Sequence, residues 1–322
     1  MHTMATEKQQ LKVIAFYDGR PGHEKQTRGI LRELGQIVDL DLTEVRVRRM
    51  SLLGELVGLA DLFISRWARR DDDPDAGLLL GTGSRTHIPM LKMKKITGAP
   101  AVTCMTPASY LRNLFDLCFV PHHDGVAAGA NIMITTGPPN CAGPSGNKDP
   151  SQGLILVGGI DRKSHHWSSA MIAGYVRQLA GAEPAIRWTV ASSPRTPVET
   201  VIALDAIAHE SANVFLHRFA DTGPGWIEER YAECLKVWVT ADSMSMVYEA
   251  LSAGCRVGLL PVIWKTEKNK FRRSAEYLIE NGLAVPFSAW LAGGKGEWPE
   301  NEPLNEAKRC AEEIVKRWLP KS

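Results

Sequence analysis

The stretch from Lys236 to Gly258, KVWVTADSMSMVYEALSAGCRVG, constrains the fold more than any other part of the chain. Val237 to Thr240 is a short apolar, β-branched run and reads as a strand. Asp242 or Ser243 is placed to cap the helix that follows, whose apolar face carries Met246, Val247, Ala250 and Leu251. Gly254 stops that helix, and Val257 to Leu260 opens a second strand. Strand, small-polar loop, helix and strand make a βαβ unit, and such a loop lies at the carboxyl end of a parallel sheet, where α/β proteins bind ligands.

The same alternation runs along the rest of the chain. Leu11 to Tyr17 is a strand that enters DGRPGHEKQ and then a helix from about Gln26 to Leu34. A strand over Val38 to Val47 follows, then a helix over Leu52 to Trp67. Leu78 to Leu80 ends in GTGSRTH before a helix over 86–96, with a strand over Ala101 to Thr103 and another ahead of Pro121, His122, His123 and Asp124. Residues 136–152, TGPPNCAGPSGNKDPSQ, are rich in glycine and proline and mark the break between two domains. Beyond them strands at Gly153 to Val157, Ile186 to Ala191 and Val214 to Leu216 alternate with helices at Ser168 to Leu179, Glu199 to Glu210 and Ile227 to Cys234. Helices over Lys268 to Asn281 and Asn305 to Trp318 come last. Two α/β domains in series follow from this pattern; one larger doubly wound domain is the alternative.

Composition closes off other classes. The chain has 322 residues, and its 38 basic and 36 acidic side chains nearly balance, so no nucleic-acid partner is implied. Six cysteines are scattered without a CxxC pair, which argues against a zinc knuckle or a disulfide framework and fits a reduced, cytoplasmic compartment. No apolar run approaches the roughly 20 residues of a membrane span. The positive charge is local, at 45–50, 91–95 and 265–273, and the apolar Leu52 to Phe63 segment near basic residues leaves peripheral contact with the inner face of a membrane open; an ordinary buried helix is the other reading.

The polar loops carry the chemistry. In the second half, Gly158 and Gly159 follow a strand and offer backbone amides to a diphosphate, and Ser193, Arg195 and Thr196 add donors. Asp242, Ser243 and Ser245 gather at one helix start, and Glu249, one turn past Ser245, suits the two hydroxyls of a ribose. Turn glycines, an ST-turn and a helix cap account for each loop separately; their coincidence at three strand ends describes a nucleoside-diphosphate site without a GxxxxGK[ST] loop or a dinucleotide fingerprint. In the first half, Gly19 and Gly22 let backbone approach a ligand, with Arg20, His23 and Gln26 adding polar reach. A turn explains those glycines but not the histidine. His122, His123 and Asp124 suggest a metal, yet neighbouring side chains in an extended segment point apart and a third ligand of suitable spacing is missing, so no metal is expected.

DGRPGHEKQ at 18–26, GTGSRT at 81–86, FDLCFVPHHD at 115–124, LVGG at 156–159, SSPRTP at 192–197, VTADSMSMVYEALSAG at 239–254 and KFRR at 270–273 together resemble the mitochondrial-fission family of the elongated-mitochondria type, whose prokaryotic members look like glycosyltransferases. The resemblance covers nearly the whole chain. It implies a GT-B-like architecture, two Rossmann-like doubly wound domains facing across a cleft. Residues 1–145 would form the acceptor side and 150–322 the nucleotide-sugar side, with the last helix packing back on the first domain. By that resemblance Glu249 takes the ribose; Gly158, Gly159, Ser243 and Ser245 take the diphosphate; and Gly19, Gly22 and His23 face them from the first domain.

The expected reaction is transfer of a sugar from a nucleoside-diphosphate sugar to a hydroxyl of a glycan or lipid acceptor, without a metal or a tightly bound cofactor. Arg195, Lys270 and Arg273 would offset the charge that builds on the diphosphate. His23 is the first choice for the base that takes the acceptor proton, with Asp124 and His122 behind it. A scaffold protein that kept the fold without catalysis, and a nucleotide-sugar epimerase, are the alternatives.

Overall fold

The computed structural model describes residues 8–64, 70, 72–144, 146–293 and 298–319. The chain divides into two compact units, the first made of Met1–Cys141 and Asn305–Ser322, the second of Ala142–Leu304.

In the first unit, strands β1 (Gln10–Tyr17), β2 (Asp39–Arg46), β3 (Leu78–Thr82), β4 (Ala101–Cys104), β5 (Leu117–Pro121) and β6 (Ile132–Thr135) form one parallel sheet in the order β2-β1-β3-β4-β5-β6. Strands β3, β4 and β5 are buried along their whole length, as parallel strands covered on both faces must be, whereas the edge strand β2, DLDLTEVR, is largely exposed. Helices α1 (Pro21–Ile37), α2 (Leu52–Ile64), α3 (Ser84–Thr97) and α4 (Ser109–Arg112) connect the strands. Period-two alternation sorts β1: Leu11, Val13, Ala15 and Tyr17 pack with Ile30 and Leu34 of α1, while Ile14 and Phe16 pack with Leu62 of α2 and Met90 and Leu91 of α3 on the other face. Helices therefore cover both faces of the sheet.

The second unit holds β7 (Asp149–Leu156), β8 (His165–His166), β9 (Arg187–Ala191), β10 (Val214–His217), β11 (Cys234–Thr240), β12 (Arg256–Leu260), β13 (Ile263–Trp264) and β14 (Val285–Pro286). Six of them make a parallel sheet in the order β10-β9-β7-β11-β12-β14, and β8 and β13 pair separately as an antiparallel ribbon. Helices α5 (Ser169–Ala182), α6 (Val198–Glu210) and α10 (Phe287–Leu291) cover one face of the sheet, and α7 (Trp226–Glu233), α8 (Met244–Ser252) and α9 (Lys270–Glu280) cover the other. Alternation along β11 sends Val237 and Val239 to the α8 side and Trp238 to the α5 side, where its ring meets Phe287, Trp290 and Trp298 edge-on.

The last helix, α11 (Glu306–Trp318), returns to the first unit, where Cys310, Ala311 and Ile314 join the core beside α1. The glycine- and proline-rich segment is not a free linker. Arg32 donates to the Cys141 carbonyl, the Asn140 backbone lies against Gly29, and the Lys148 ammonium, past the break, donates to the Tyr231 carbonyl. Its last residues, from Asp149, already belong to β7.

Two further expectations are corrected. Helix α1 begins at Pro21, about five residues earlier than expected, because proline suits the first helical turn, where its missing N–H costs nothing. Strand β6 lacks a counterpart in the sequence reading, since IMIT is short and only partly buried. The expected end of the Leu52 helix at Trp67, and the glycine and tryptophan loop around 294–297, lie in part outside the described residues.

Candidate functional site

Sheet order locates one site in each unit. In the second unit the chain leaves β7 towards β9 on one side, and β11 follows on the other, so the switch point lies between the carboxyl ends of β7 and β11. Gly158 and Gly159 follow β7 there, facing Asp242 and Ser243 after β11. The Gly158 N–H donates to Thr240 Oγ1 at 2.8 Å, and the Gly159 N–H donates to Asp242 Oδ2 at 3.1 Å. A Cβ on Gly159 would sit 1.9 Å from the Arg195 carbonyl oxygen. The paired glycines are thus explained by close packing, and their amides are taken up inside the protein.

Arg195 is anchored across this switch point. Its Nη2 donates to Asp242 Oδ2 at 2.9 Å and to Ser243 Oγ at 3.1 Å. The Asp242 side chain is fully buried, whereas that of Arg195 remains 43% exposed. A buried carboxylate thus holds one corner of the guanidinium, and Nη1 donates to the Gly159 carbonyl at 3.4 Å, on a side chain that stays half-exposed. Ser193 Oγ donates to the Gly158 carbonyl at 2.8 Å, and Thr196 also donates to that carbonyl, so both hydroxyls brace the loop that carries Arg195. Ser243 occupies the cap position of α8 but makes no side-chain cap bond; its oxygen accepts from Arg195 Nη2 instead, while its hydroxyl donates to Asp242 at 3.2 Å. The start of α8 therefore keeps its first amides and the positive end of its dipole without a side-chain partner.

A cavity of ≈ 740 Å³ opens here, lined by Ile160, Asp161, Arg162, Arg195, the turn from Asp242 to Ser245, and Phe271. That size lies within the range of small-molecule sites. The Lys163 backbone N–H holds the Asp161 carboxyl below its ordinary range. Glu249 lies one helical turn beyond Ser245 on α8, partly buried and outside the cavity lining. Burial, and after it the Glu249 charge, pushes the Tyr231 phenol up.

In the first unit the switch point lies between β1 and β3. Asp18, fully buried as a side chain, accepts from His23 Nδ1 at 2.9 Å and from the Arg20 N–H at 3.1 Å. With Nδ1–H held by a carboxylate, Nε2 is left as the basic nitrogen of the ring. Gly83, after β3, makes room for that ring: its φ is +89°, and a Cβ there would lie 2.2 Å from His23 Nδ1. Arg85 Nη1 donates to the Asp18 carbonyl at 3.4 Å. Further along the same sheet edge, Met105 holds a left-handed φ of 71°, and the next residue, Thr106, donates its hydroxyl to Asp124 Oδ2 at 2.8 Å.

The family model for mitochondrial fission ELM1 matches residues 21–318. The chain belongs to the mitochondrial fission ELM1 family. No curated protein sequence matches it. Among solved structures, this ELM1-family chain is similar to a protein of Listeria monocytogenes assigned as a UDP-N-acetylglucosamine 2-epimerase, with a TM-score of 0.58, 13% identity and coverage of 97% of this chain and 98% of that one. It is also similar to the glycosyltransferase of kitacinnamycin, with a TM-score of 0.52, 12% identity and coverage of 97% and 100%. At such identities the likeness is one of fold: the ELM1-family chain has the GT-B fold, two Rossmann-like units.

Of the residues singled out from sequence, Arg195, Asp242, Ser243 and Ser245 come together around the cavity, and Gly158, Gly159, Ser193 and Thr196 form the scaffold behind them. Lys270 and Arg273 are exposed on α9 and do not line the cavity; Phe271, between them in sequence, does. His122 and Asp124 lie in a single turn after β5, apart in sequence from the Asp18–His23 pair. Gly19 has the left-handed φ of a turn, +79°, and Gly22 lies in the first turn of α1. Sequence reasoning missed Asp18, Asp161, Arg162 and Phe271. Asp18 carries no local signal within DGRPGHEKQ; the fold buries its side chain and sets it 2.9 Å from His23 Nδ1.

Burial also removes a class of chemistry. It pushes the thiols of Cys104, Cys118 and Cys234 up to about 12 and that of Cys255 up to about 11, so none of these four is a ready thiolate nucleophile.

Proposed function

We propose that this chain is an enzyme acting on a nucleoside-diphosphate sugar. The observation that carries the reading is Arg195, clamped by the buried Asp242 at the β7–β11 switch point beside the uncapped start of α8. There the Arg195 fork and the amides of Met244 and Ser245 take the diphosphate, and Arg162 adds charge at the cavity wall. Glu249, one helical turn further along α8 and not itself in the cavity lining, is assigned to the ribose hydroxyls. Gly158 and Gly159 shape this site without donating to the ligand.

The bond that breaks joins the anomeric carbon to the diphosphate, and its electron pair leaves with the diphosphate. Arg195 and the helix start stabilise the charge that develops there. His23, held by Asp18, takes a proton. In a transfer the proton comes from an acceptor hydroxyl of a glycan or lipid as its oxygen bonds to the sugar. In an epimerisation it comes from the sugar carbon next to the anomeric one, leaving an unsaturated sugar and the free nucleoside diphosphate. A proton then returns to the other face of that carbon as a diphosphate oxygen re-forms its bond to the anomeric carbon, and no acceptor is required. A protein assigned as an epimerase and a glycosyltransferase both share this fold, so the fold accommodates either reaction, and the epimerase reading stands beside transfer.

Incubation with UDP-N-acetylglucosamine, followed by proton NMR with and without added glycan or lipid acceptors, separates the readings. Isomerised sugar nucleotide without acceptor supports epimerisation. Release of UDP only in the presence of an acceptor supports transfer. Folded protein that neither binds nor turns over any nucleotide sugar in a panel would refute both and leave a scaffold role. Arg195→Ala is expected to weaken binding of the nucleoside diphosphate about ten- to hundredfold with the fold intact, as measured by calorimetry, since a hydrogen bond to a charged group contributes about 1.5–3 kcal/mol.

A further inference from the structure

Helix α2 presents the wrong chemistry to solvent. Its inner side is anchored in the first unit: Leu62 is buried, Gly58 lies against Ile88, Asp61 pairs with Lys92, and the Leu62 carbonyl accepts from Lys95. The opposite side of an ordinary surface helix is polar. Here Leu53, Leu56, Val57, Phe63 and Ile64 are 71%, 65%, 60%, 59% and 80% exposed. At 100° per residue these five and Ala60 fall within an arc of about 120°, and Glu55 and Asp61 fall outside it. Among the described residues, the largest exposures of apolar side chains are concentrated on this helix.

The charge around the helix indicates what covers this face. VRVRRM precedes α2, with Arg46, Arg48 and Arg49 all exposed. An apolar stripe with arginines at its amino-terminal side matches a membrane interface, where acyl chains take the stripe and anionic headgroups take the guanidinium groups. No helix among the described residues is long and apolar enough to cross a bilayer, so the contact is one that lies in the surface.

We propose that α2 and the arginines that precede it, Arg46, Arg48 and Arg49, form a docking face for an anionic lipid surface. This holds independently of the nucleotide-sugar reading, and its test needs no turnover. The full chain is sedimented with phosphatidylcholine vesicles with and without phosphatidylglycerol. Recovery with the anionic vesicles alone, falling as salt is raised, is the expected result. Leu56→Asp combined with Phe63→Asp should abolish it, and Arg48→Glu combined with Arg49→Glu should weaken it about tenfold or more, with circular dichroism and thermal melting unchanged in both. Three outcomes overturn the proposal: no recovery with either vesicle, recovery unaffected by the Leu56/Phe63 variant, or a dimer in solution that this variant dissociates. The last would assign the face to self-association.

Discussion

A Cβ at Gly158 would lie 2.2 Å from Ser243 Oγ and 2.3 Å from Asp242 Oδ2, so any side chain there must displace the carboxylate that holds Arg195. Gly158→Ala is expected to destabilise the second unit by about 1–3 kcal/mol in denaturant titration and to weaken nucleotide binding with it. In the first unit, His87 is buried, its Nε2 has no hydrogen-bond partner, and its ring meets Phe115 edge-on. Burial, and secondarily the charge of His23, lowers its pKa to about 4 from an ordinary 6.5. Between those values the unfolded chain binds the proton and the folded chain does not, so stability falls as pH drops from 6.5 towards 4. The loss reaches about 3 kcal/mol near pH 4. His87→Phe should flatten that part of the stability curve, measured by denaturant midpoints across the range.

At the scale of elements, α9 shows how a cap positions a site wall. The Asn269 side chain accepts from the Phe271 and Arg272 amides, fixing the turn that places Phe271 against the cavity. Asn269→Ala is expected to cost about 1 kcal/mol of stability and to reduce nucleotide affinity; unchanged affinity would separate Phe271 from the site. Elements of this kind were legible where periodicity was strong: β1, β11 and α8 follow directly from their apolar patterns. The start of α1 was not, because Pro21-Gly22 satisfies the rules for a turn and for a first helical turn alike. Charge was a poor guide to the cavity. KFRR drew attention to Lys270 and Arg273, yet the helical period turns them outward and Phe271 inward. What approaches the glycines of LVGG closely is the protein's own Asp242, Ser243 and Arg195, and their amides donate to Thr240 and Asp242, a packing that sequence does not reveal. Pairings such as Asp18 with His23 require the sheet order, which local sequence does not reveal.

At the scale of the molecule, each sheet order places a switch point beneath its own polar cluster, and that much follows from the alternation of strands and helices. The return of α11 does not follow from it, since an amphipathic helix could pack on either unit. Its buried Cys310, Ala311 and Ile314 make it part of the first core, and Ile314→Ala should destabilise that unit by about 2–5 kcal/mol while leaving the melting of the second unchanged, as hydrogen exchange can resolve. During synthesis this has an ordering effect. The unit whose strands leave the ribosome first must wait for the final residues of the chain, whereas the unit inserted within it has all its elements earlier. The first to be started is the last to be completed, and a chain halted at Leu304 would carry one finished body and one with its apolar flank open to chaperones.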